Sequence, residues 1–117
     1  MGFKAEEIAM EIVEEVREVL PLVKRDRQLA DQIRRATSGI ALTVGEGAVR
    51  RGGNKRLLFE AALGSAREVR KALAVAVAWR YVTRERVAKL DALLDQECAI
   101  LWRLVHPKPE AGGVAGA

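Results

Sequence analysis

The stretch QLADQIRRATSGIALTVGEGAVRR, residues 28–51, decides the fold because a single apolar stripe runs along most of its length. The members of the stripe follow steps of four, three, four and four residues: Leu29, Ile33, Ala36, Ile40 and Val44. Steps of three and four place side chains on one face of an α-helix. The stripe fades at Gly47 or, at the latest, at Gly52 and Gly53, since glycine is common just beyond a helix end. The stretch therefore predicts an amphipathic helix with a glycine-rich end.

Three further segments show the same spacing and predict three more helices. The segment before this stretch, which Pro21 limits or kinks, carries Ile8, Ile12, Val16, Val19 and Val23. The segment after it starts at the predicted N-cap Asn54, runs to about Tyr81 and carries Leu58, Ala62, Ala66, Val69, Leu73 and Ala76. The last segment lies between the predicted N-cap Thr83 and Pro107 and carries Val87, Leu90, Leu94, Cys98, Leu101 and Val105. Four such helices with short connections predict an all-α fold, an antiparallel up-and-down four-helix bundle.

Length and composition indicate one domain. With 117 residues, half of them apolar, the chain can bury one core, and we expect a single four-helix bundle over residues 1–106. Residues 107–117 combine two prolines with three glycines and predict a flexible C-terminal tail. The single Cys98 excludes an intramolecular disulfide, and the sequence shows neither a signal-peptide pattern nor an apolar run of roughly 20 residues. We therefore expect a cytoplasmic protein that does not enter a membrane.

The sequence ALAVAVAW, residues 72–79, is apolar on every side of the predicted third helix. One seam of a bundle cannot bury every face of a helix, and in so small a domain the second cover is most easily another subunit. We therefore expect a homo-oligomer; the alternative is that alanine is simply tolerated at the surface. Trp79 and Trp102 lie in apolar stretches and are expected to pack in the core or in the subunit interface, rather than to stack on nucleic-acid bases.

Positive charge is concentrated in one part of the chain. The net charge is +4, but residues 1–23 carry −4 and residues 24–56 carry +6. The candidates for contacts with nucleic-acid phosphates are Arg34, Arg35, Arg50, Arg51, Lys55 and Arg56, followed by Lys24, Arg25, Arg27, Arg67, Arg70 and Lys71. In a single chain these side chains are equally consistent with an ordinary solvated surface. Around a symmetric ring, in contrast, their fields would add.

The segment GEGAVRRGGNKR, residues 45–56, does not form a nucleotide-binding motif. Gly47 and Gly52 have the Walker spacing, but Gly53 and Asn54 follow where the motif requires lysine and then serine or threonine. Arg50 occupies the third glycine position of the dinucleotide-binding pattern. The remaining interpretation is a charged hinge between helices that attracts phosphate by its charge alone.

Candidate catalytic and metal-binding groups are few. The only histidine, His106, excludes the di-iron design of four-helix bundles, which needs a histidine from each of two helices. The first helix offers one alternative, a magnesium ion for nucleotide hydrolysis held by Glu11 and Glu14 or by Glu14 and Glu18, although such runs are commonly solvated faces. Cys98 falls on the apolar stripe and is expected to be a small core residue. We therefore expect no enzyme, no cofactor and no metal.

Two short pairs have structural interpretations. Gly64 and Ser65 fall in the middle of the third helix, where glycine costs about 1 kcal/mol relative to alanine. A close crossing of another helix would compensate that cost and is favoured over a ligand contact. Glu46 lies four residues before Arg50, the spacing of a helical ion pair. The alternative for Glu46 is that it clamps the loop in an assembled ring.

The stretch quoted first and the segment FEAALGSAREVRKALAVAVAWRYV, residues 59–82, resemble a bacterial family of four-helix-bundle proteins encoded by intervening sequences in 23S ribosomal RNA genes. The resemblance is carried by Leu29, Gln32, Arg35, Ala36, Ile40, Glu46, Gly47, Arg50, Phe59, Gly64, Ser65, Glu68 and Tyr81. Three positions depart from the family pattern. Gly39 stands where serine is common, Ala41 where proline is frequent and Thr43 where asparagine is frequent.

The resemblance implies a small basic bundle that assembles into a ring-like homopentamer and has no known catalytic centre. A related branch, the accessory variability proteins of diversity-generating retroelements, is similar in fold and binds a reverse transcriptase and nucleic acid. We therefore predict a non-enzymatic, oligomeric nucleic-acid-associated protein that binds RNA or an RNA–protein complex through a pooled basic surface. The first alternative is a scaffold that docks a reverse transcriptase. The second is a metal-dependent nucleotide hydrolase.

Overall fold

The computed structural model describes residues 3–108, and within this range the chain forms four α-helices. They are α1 (Lys4–Val23), α2 (Arg27–Val49), α3 (Gly53–Ala78) and α4 (Ala88–Val105). Each helix packs against the next one along the chain, and α4 returns to pack against α1. This arrangement confirms the predicted all-α four-helix bundle. The predicted flexible tail begins at residue 107, and its residues 109–117 lie outside the described part of the chain.

The predicted apolar stripes supply the core on the inner faces of the helices. Every stripe residue of α1 and α2 is buried, and Ile33 and Ile40 have no exposed surface. Full burial of a side chain of this size contributes roughly 1.5–3 kcal/mol relative to exposure. In α3 the stripe is buried from Ala62 onward, but Phe59 is buried where Leu58 was expected. Steps of three and four residues fit both neighbouring positions, so the spacing alone does not decide between them.

The inner face of α4 contains a carboxyl group. Glu97 has no exposed surface, and both of its carboxyl oxygens lack a hydrogen-bond partner within residues 3–108. Cys98, the predicted member of the stripe, is only half-buried and packs against the core from its edge. Burial raises the pKa of the Glu97 carboxyl to about 8, because the charged form loses its solvation. Glu97 is therefore mostly protonated at neutral pH.

Two predicted N-caps differ from the structure. α3 begins directly after Gly52, whose φ of 72° turns the chain, so Asn54 lies inside the helix and does not cap it. Only glycine adopts such a left-handed conformation readily. Thr83 does accept a hydrogen bond from the backbone N–H of Arg86 (3.1 Å). It caps a turn, however, and the regular helix α4 begins later, at Ala88.

The C-terminal end of α3 is formed without glycine. The N–H of Arg80 donates to the carbonyl oxygen of Val77 (2.9 Å), and the N–H of Tyr81 donates to that of Ala76 (3.0 Å). This pair of bonds is a Schellman motif, in which the residue after the C-cap is left-handed and is usually glycine. Arg80 takes that position with a φ of 64°. The helix consequently ends at Ala78 rather than near Tyr81.

The first connection is short and tightly bonded. α1 runs through Pro21, which lies in its last turn, and ends two residues later at Val23. α2 starts at an N-cap that the sequence reasoning missed, since the side chain of Asp26 accepts a hydrogen bond from the backbone N–H of Leu29 (3.1 Å). The other carboxylate oxygen of Asp26 accepts a bond from the Tyr81 hydroxyl (3.1 Å). One aspartate therefore joins the α1–α2 connection to the α3–α4 connection.

Candidate nucleic-acid interface

Positively charged side chains are exposed at both ends of the bundle. The α2–α3 connection forms one end, here called the glycine end, and exposes Arg50, Arg51, Lys55 and Arg56. The α1–α2 and α3–α4 connections form the other, here called the tryptophan end, and expose Lys24, Arg25, Arg27, Arg80, Arg84 and Arg86. The net charge is +4 for residues 50–56 and also +4 for residues 24–27 and 79–86 taken together. The connections at the two ends therefore carry the same net charge, before the Glu46 carboxylate that pairs with Arg50 is counted.

The glycine end contains predicted candidates with and without an ion-pair partner. The guanidinium of Arg50 donates to the Glu46 carboxylate (2.9 Å), which confirms the predicted helical ion pair. Arg51 and Arg56 are exposed and form no ion pair with any residue in the described part of the chain. Their charges are therefore not offset by a local carboxylate.

Two further candidates lie elsewhere on α2. Arg34 and Arg35 both form ion pairs with Asp31, at N–O distances of 2.8 Å and 3.1 Å. At a rise of about 1.5 Å per residue, Arg34 and Arg50 are separated by roughly 24 Å along the helix axis. The structure therefore does not bring the Arg34–Arg35 pair and the glycine end into one site within a single chain.

The candidates on α3 divide into a structural residue and two exposed ones. Nε of Arg70 donates to Asp91 (3.2 Å) and Nη1 donates to Asp95 (3.2 Å), so the side chain ties α3 to α4. The hydrogen bond to Asp91 raises the pKa of Arg70 above its usual range. Arg67 and Lys71 are exposed beside it. The predicted basic residues are thus distributed over several parts of the surface.

The tryptophan end combines its charge with ordered aromatic rings. The guanidinium of Arg25 lies 4.9 Å from the centroid of the Tyr81 ring. Desolvation, together with the hydrogen bond to Asp26, raises the pKa of the Tyr81 hydroxyl above its ordinary value. Sequence reasoning named Arg25 and its neighbours only as secondary candidates and did not select Arg80, Arg84 or Arg86. The available signal was the net charge of +2 over residues 79–86.

Neither tryptophan lies in the core, so that predicted location is wrong for both. The other predicted location, a subunit interface, stays a prediction. Trp79 exposes 65% of its surface and Trp102 exposes 47%. Trp102 stacks on His106, with ring centroids 4.3 Å apart and an interplanar angle of 23°. Trp79 is nearly parallel to Tyr81, at 19°, with ring centroids 6.5 Å apart. The core prediction failed because apolar neighbours in the sequence do not show on which side of the helix an indole lies.

Four of the residues that carry the family resemblance make contacts between α2 and α3. The side-chain amide of Gln32 donates to the Glu68 carboxylate (3.2 Å). Gly47 lies against the ring of Phe59, because a Cβ at this position would lie 2.8 Å from the nearest ring carbon. Real Cβ atoms do not approach so closely, and only glycine fits without a shift of the ring. These residues therefore have structural roles within the bundle.

Gly64 makes no close helix crossing within residues 3–108, although the sequence predicted one there. A Cβ at Gly64 would meet no atom within 4 Å in the part of the chain that the structure describes. Its neighbour Ser65 makes the close approach instead, with Oγ 3.4 Å from a Cβ placed on Gly39. Gly64 belongs to an exposed row, here called the outer seam of α3, with steps of four and three residues: Leu57, Ala61, Gly64, Glu68, Lys71, Val75 and Ala78.

The carboxylates and the thiol that the sequence singled out were compared with the requirements of a metal site and a reactive thiol. No group of three or more histidine, cysteine, aspartate or glutamate side chains suited to a metal ion occurs among residues 3–108. Glu11 and Glu14 are exposed on α1, and Glu18 pairs with Arg17 (3.3 Å). Burial raises the pKa of the Cys98 thiol, which disfavours the reactive thiolate.

These features define a small antiparallel four-helix bundle with its basic side chains at the surface. The chain belongs to the family of 23S rRNA-intervening sequence proteins, because the model of that family matches residues 3–103. The relation to the accessory variability proteins of retroelements, and with it the docking of a reverse transcriptase, stays a prediction from the resemblance.

A solved structure has the same fold. The crystal structure of a protein of unknown function from the S23 ribosomal protein family of Bacteroides thetaiotaomicron is similar, with a TM-score of 0.78. The match covers 86% of this chain and 97% of that one at 15% sequence identity. No curated protein matches the chain. Among the helices of residues 3–108, none is both long and apolar enough to cross a membrane.

Proposed function

We propose that the chain is a non-enzymatic protein of the bacterial cytoplasm that assembles with copies of itself and binds RNA, or an RNA–protein complex, through its repeated basic surface. The observation that supports binding is the charge at the two ends of the bundle. Ten of the 20 basic residues lie there, on exposed connections and helix ends. Cationic side chains of this kind bind phosphate backbones with little base preference.

The ion pairs rank the candidate side chains by how readily each could contact a phosphate. Arg34 and Arg35 share one carboxylate, and Arg70 contacts two, so RNA would have to displace or tolerate these acidic partners. Arg51 and Arg56 carry no such cost in the described structure. We therefore assign the main phosphate contacts to the ends of the bundle, and a smaller share to the pairs on α2 and α3.

Self-assembly has its own support on the surface of α3. The outer seam carries exposed Leu57 and Val75, and it includes Gly64, whose cost in mid-helix nothing within residues 3–108 compensates. On α2, Leu42 and Val49 are exposed seven residues apart on one face. A closed ring needs two different complementary surfaces on each subunit, and these two rows supply candidates. The family resemblance implies five subunits, and light scattering coupled to size exclusion measures the number.

Electrophoretic mobility shift across a salt series tests RNA binding. We expect the logarithm of the affinity to fall linearly with the logarithm of the salt concentration. Replacing Arg51 and Arg56 together by alanine should reduce that slope by about 1.4–1.8 for each subunit that contacts the RNA, since each phosphate contact contributes roughly 0.7–0.9. Arg17→Ala, on the acidic helix α1, is the matched control and should leave the slope unchanged. Absence of binding at low salt, or binding that ignores salt, contradicts the proposal.

A further inference from the structure

The tryptophan end brings two chain connections together around aromatic rings. The α1–α2 connection contributes Arg25 and Asp26, and the α3–α4 connection contributes Trp79, Arg80 and Tyr81. The bond from the Tyr81 hydroxyl to Asp26 (3.1 Å) and the Arg25–Tyr81 contact (4.9 Å) join them. These five residues are here called the aromatic–arginine cluster. From the sequence, packing was favoured over base stacking for Trp79, and Tyr81 had no predicted binding role.

The cluster is held in place from both sides. Asp26 is fixed by its second bond, to the N-terminus of α2, and it positions the Tyr81 ring through the hydroxyl. On the other side, Val82 and Val87 are buried and anchor the α3–α4 connection to the core. A ring that is already ordered loses little conformational entropy when a ligand stacks on it.

Trp79 offers an uncovered aromatic face within this ordered cluster. Its ring and that of Tyr81 are nearly parallel, but their centroids are 6.5 Å apart, at the wide end of the range for aromatic pairs. The two rings therefore overlap little, and Trp79 exposes 65% of its surface. Tyr81 has one face occupied by Arg25. A planar group of suitable chemistry can stack on the indole without displacing a protein side chain.

Arg80 occupies a position where the backbone favours glycine. Its φ of 64° is left-handed, a conformation that is unfavourable for a residue with a side chain. Strained residues persist where surrounding structure holds them and are concentrated at binding and active sites. Arg80 lies between Trp79 and Tyr81 in the chain, and its side chain is exposed. The strain is explained if the guanidinium itself is needed there.

The charge around the cluster selects an anionic ligand. Residues 24–27 and 79–86 contain six basic and two acidic side chains, and one of the two acids, Asp26, already accepts two hydrogen bonds. Aromatic faces combined with arginines in a positive groove are the recurrent means of binding unpaired nucleotides. Duplex RNA keeps its bases stacked on each other and does not present them to such a face.

We propose that the aromatic–arginine cluster is a binding site for single-stranded nucleic acid, in which an unpaired base stacks on Trp79 and the adjoining phosphates contact Arg80 and Arg25. The site rests on the proposed function because its ligand is the same class of molecule. The site adds a preference for unpaired over paired strands, which charge alone does not supply. The glycine end binds phosphates of paired and unpaired strands alike, whereas the cluster requires a free base.

Fluorescence of Trp79 tests the stacking contact directly. In a Trp102→Phe background Trp79 is the only indole, and the ligand is an oligouridylate of about 12 nucleotides, within the range of single-strand binding sites. A blunt-ended duplex with the same number of phosphates is the comparison. We expect the single strand to quench Trp79 and the duplex to leave it almost unchanged.

Two variants separate binding from folding. Trp79→Ala should weaken binding of the single strand at least about fivefold, the lower end of the loss for one stacked base, and should not change binding of the duplex. Arg80→Gly relieves the left-handed strain and should be at least as stable as the original chain, yet it should also weaken binding of the single strand. Weaker binding by a more stable variant is not a folding defect.

Three outcomes would overturn the inference. If both RNAs bind but Trp79 is not quenched and Trp79→Ala binds as before, stacking is wrong while the proposed function stands. If Trp79→Ala lowers the mass of the assembly in light scattering, the indole is covered by a second copy of the chain. If neither RNA binds at low salt, the proposed function fails first and the single-strand site fails with it.

Discussion

The connections at the glycine end and at the tryptophan end carry the same net charge, +4, but the two ends place their aromatic rings differently. At the glycine end Phe59 is buried against Gly47, and Lys55 covers it from outside at 5.9 Å. At the tryptophan end Trp79 is exposed and the rings are ordered by bonds at the surface. Charge alone would assign the two ends the same ligand. The position of the rings is the reason for proposing that one end binds phosphates alone and that the other also accepts a base.

The difference arises from where each ring falls relative to the helix. Phe59 lies one turn before Ala62 and Leu63 and continues the inner face of α3, so packing of α2 against α3 covers it. Trp79 is the C-cap of the same helix, and the chain turns away immediately after it. A residue at that place has no neighbouring helix on its outer side. One ring therefore contributes to the stability of the fold and the other is available for binding.

The largest expected effect is on folding, and it distinguishes the two rings. Phe59→Ala should lower the free energy of unfolding by about 3–5 kcal/mol, because it removes a buried aromatic ring and leaves a cavity. Trp79→Ala, the matched aromatic-to-alanine control, should change it by no more than about 0.5 kcal/mol, since the indole is mostly exposed. Urea unfolding followed by circular dichroism measures both. Similar losses for the two variants would mean that Trp79 is buried in the protein as it occurs in solution.

The next effect comes from the buried carboxyl of Glu97, which lies on α4 between the two ends. Its pKa is about 8 in the folded chain against an ordinary value of 4.5, so the folded state holds a proton that the unfolded state releases. The free energy of unfolding should therefore fall as the pH rises between about 5 and 8, by about 1.4 kcal/mol per pH unit from this group. Thermal unfolding at a series of pH values measures the slope.

Glu97→Gln isolates this contribution, because the amide does not titrate. The variant should lose the downward slope between about pH 5 and 8 while other groups keep theirs. If the bundle unfolds as one unit, probes at its two ends should report the same unfolding temperature at each pH, and that temperature should fall as the pH rises. Equal slopes for the original chain and the variant would show that the Glu97 carboxyl is hydrated or paired in solution.

The sequence was sufficient to predict the fold, but not to predict which of two neighbouring residues faces the core. Periodic apolar residues predicted four helices and nearly all of the core, because steps of three and four residues are a direct consequence of helix geometry. The same spacing fits Leu58 and Phe59, or Glu97 and Cys98, equally well, so only packing decides which is buried. The Arg50–Glu46 pair was predictable because it is local.

The tryptophan end could not be predicted for a related reason. Its cluster joins residues that are 55 positions apart in the chain, as in the bond from Tyr81 to Asp26. The end of α3 that exposes Trp79 carries Arg80 where a glycine would have marked it. Long-range contacts and an unusual residue in a left-handed turn leave no periodic signal, whereas the charge of both ends was visible in the composition.

The smallest expected effect on stability concerns two glycines of the family pattern. Gly47 is buried, and Gly64 is exposed on the outer seam of α3. Gly47→Ala places a Cβ 2.8 Å from the Phe59 ring and should destabilise the chain by about 1–3 kcal/mol through overpacking. Gly64→Ala meets no atom within 4 Å in the described structure. Alanine is favoured over glycine inside a helix, so this variant should gain up to about 1 kcal/mol. Unfolding in urea, at a concentration low enough to keep any assembly dissociated, measures both changes.

Gly64→Ala should stabilise the single chain but weaken its assembly, and this difference tests whether Gly64 lies at a contact between subunits. Gly64 lies in the middle of the outer seam of α3, between Leu57 and Val75, where a helix of a second copy can approach the bare backbone closely. An added methyl group would hold the two helices apart, so Gly64→Ala should weaken association in light scattering over a dilution series although the single chain is more stable. Ala61→Ser, a small change on the same seam, is the control and should leave the mass unchanged. If Gly64→Ala assembles as before, the outer seam is not the contact between subunits.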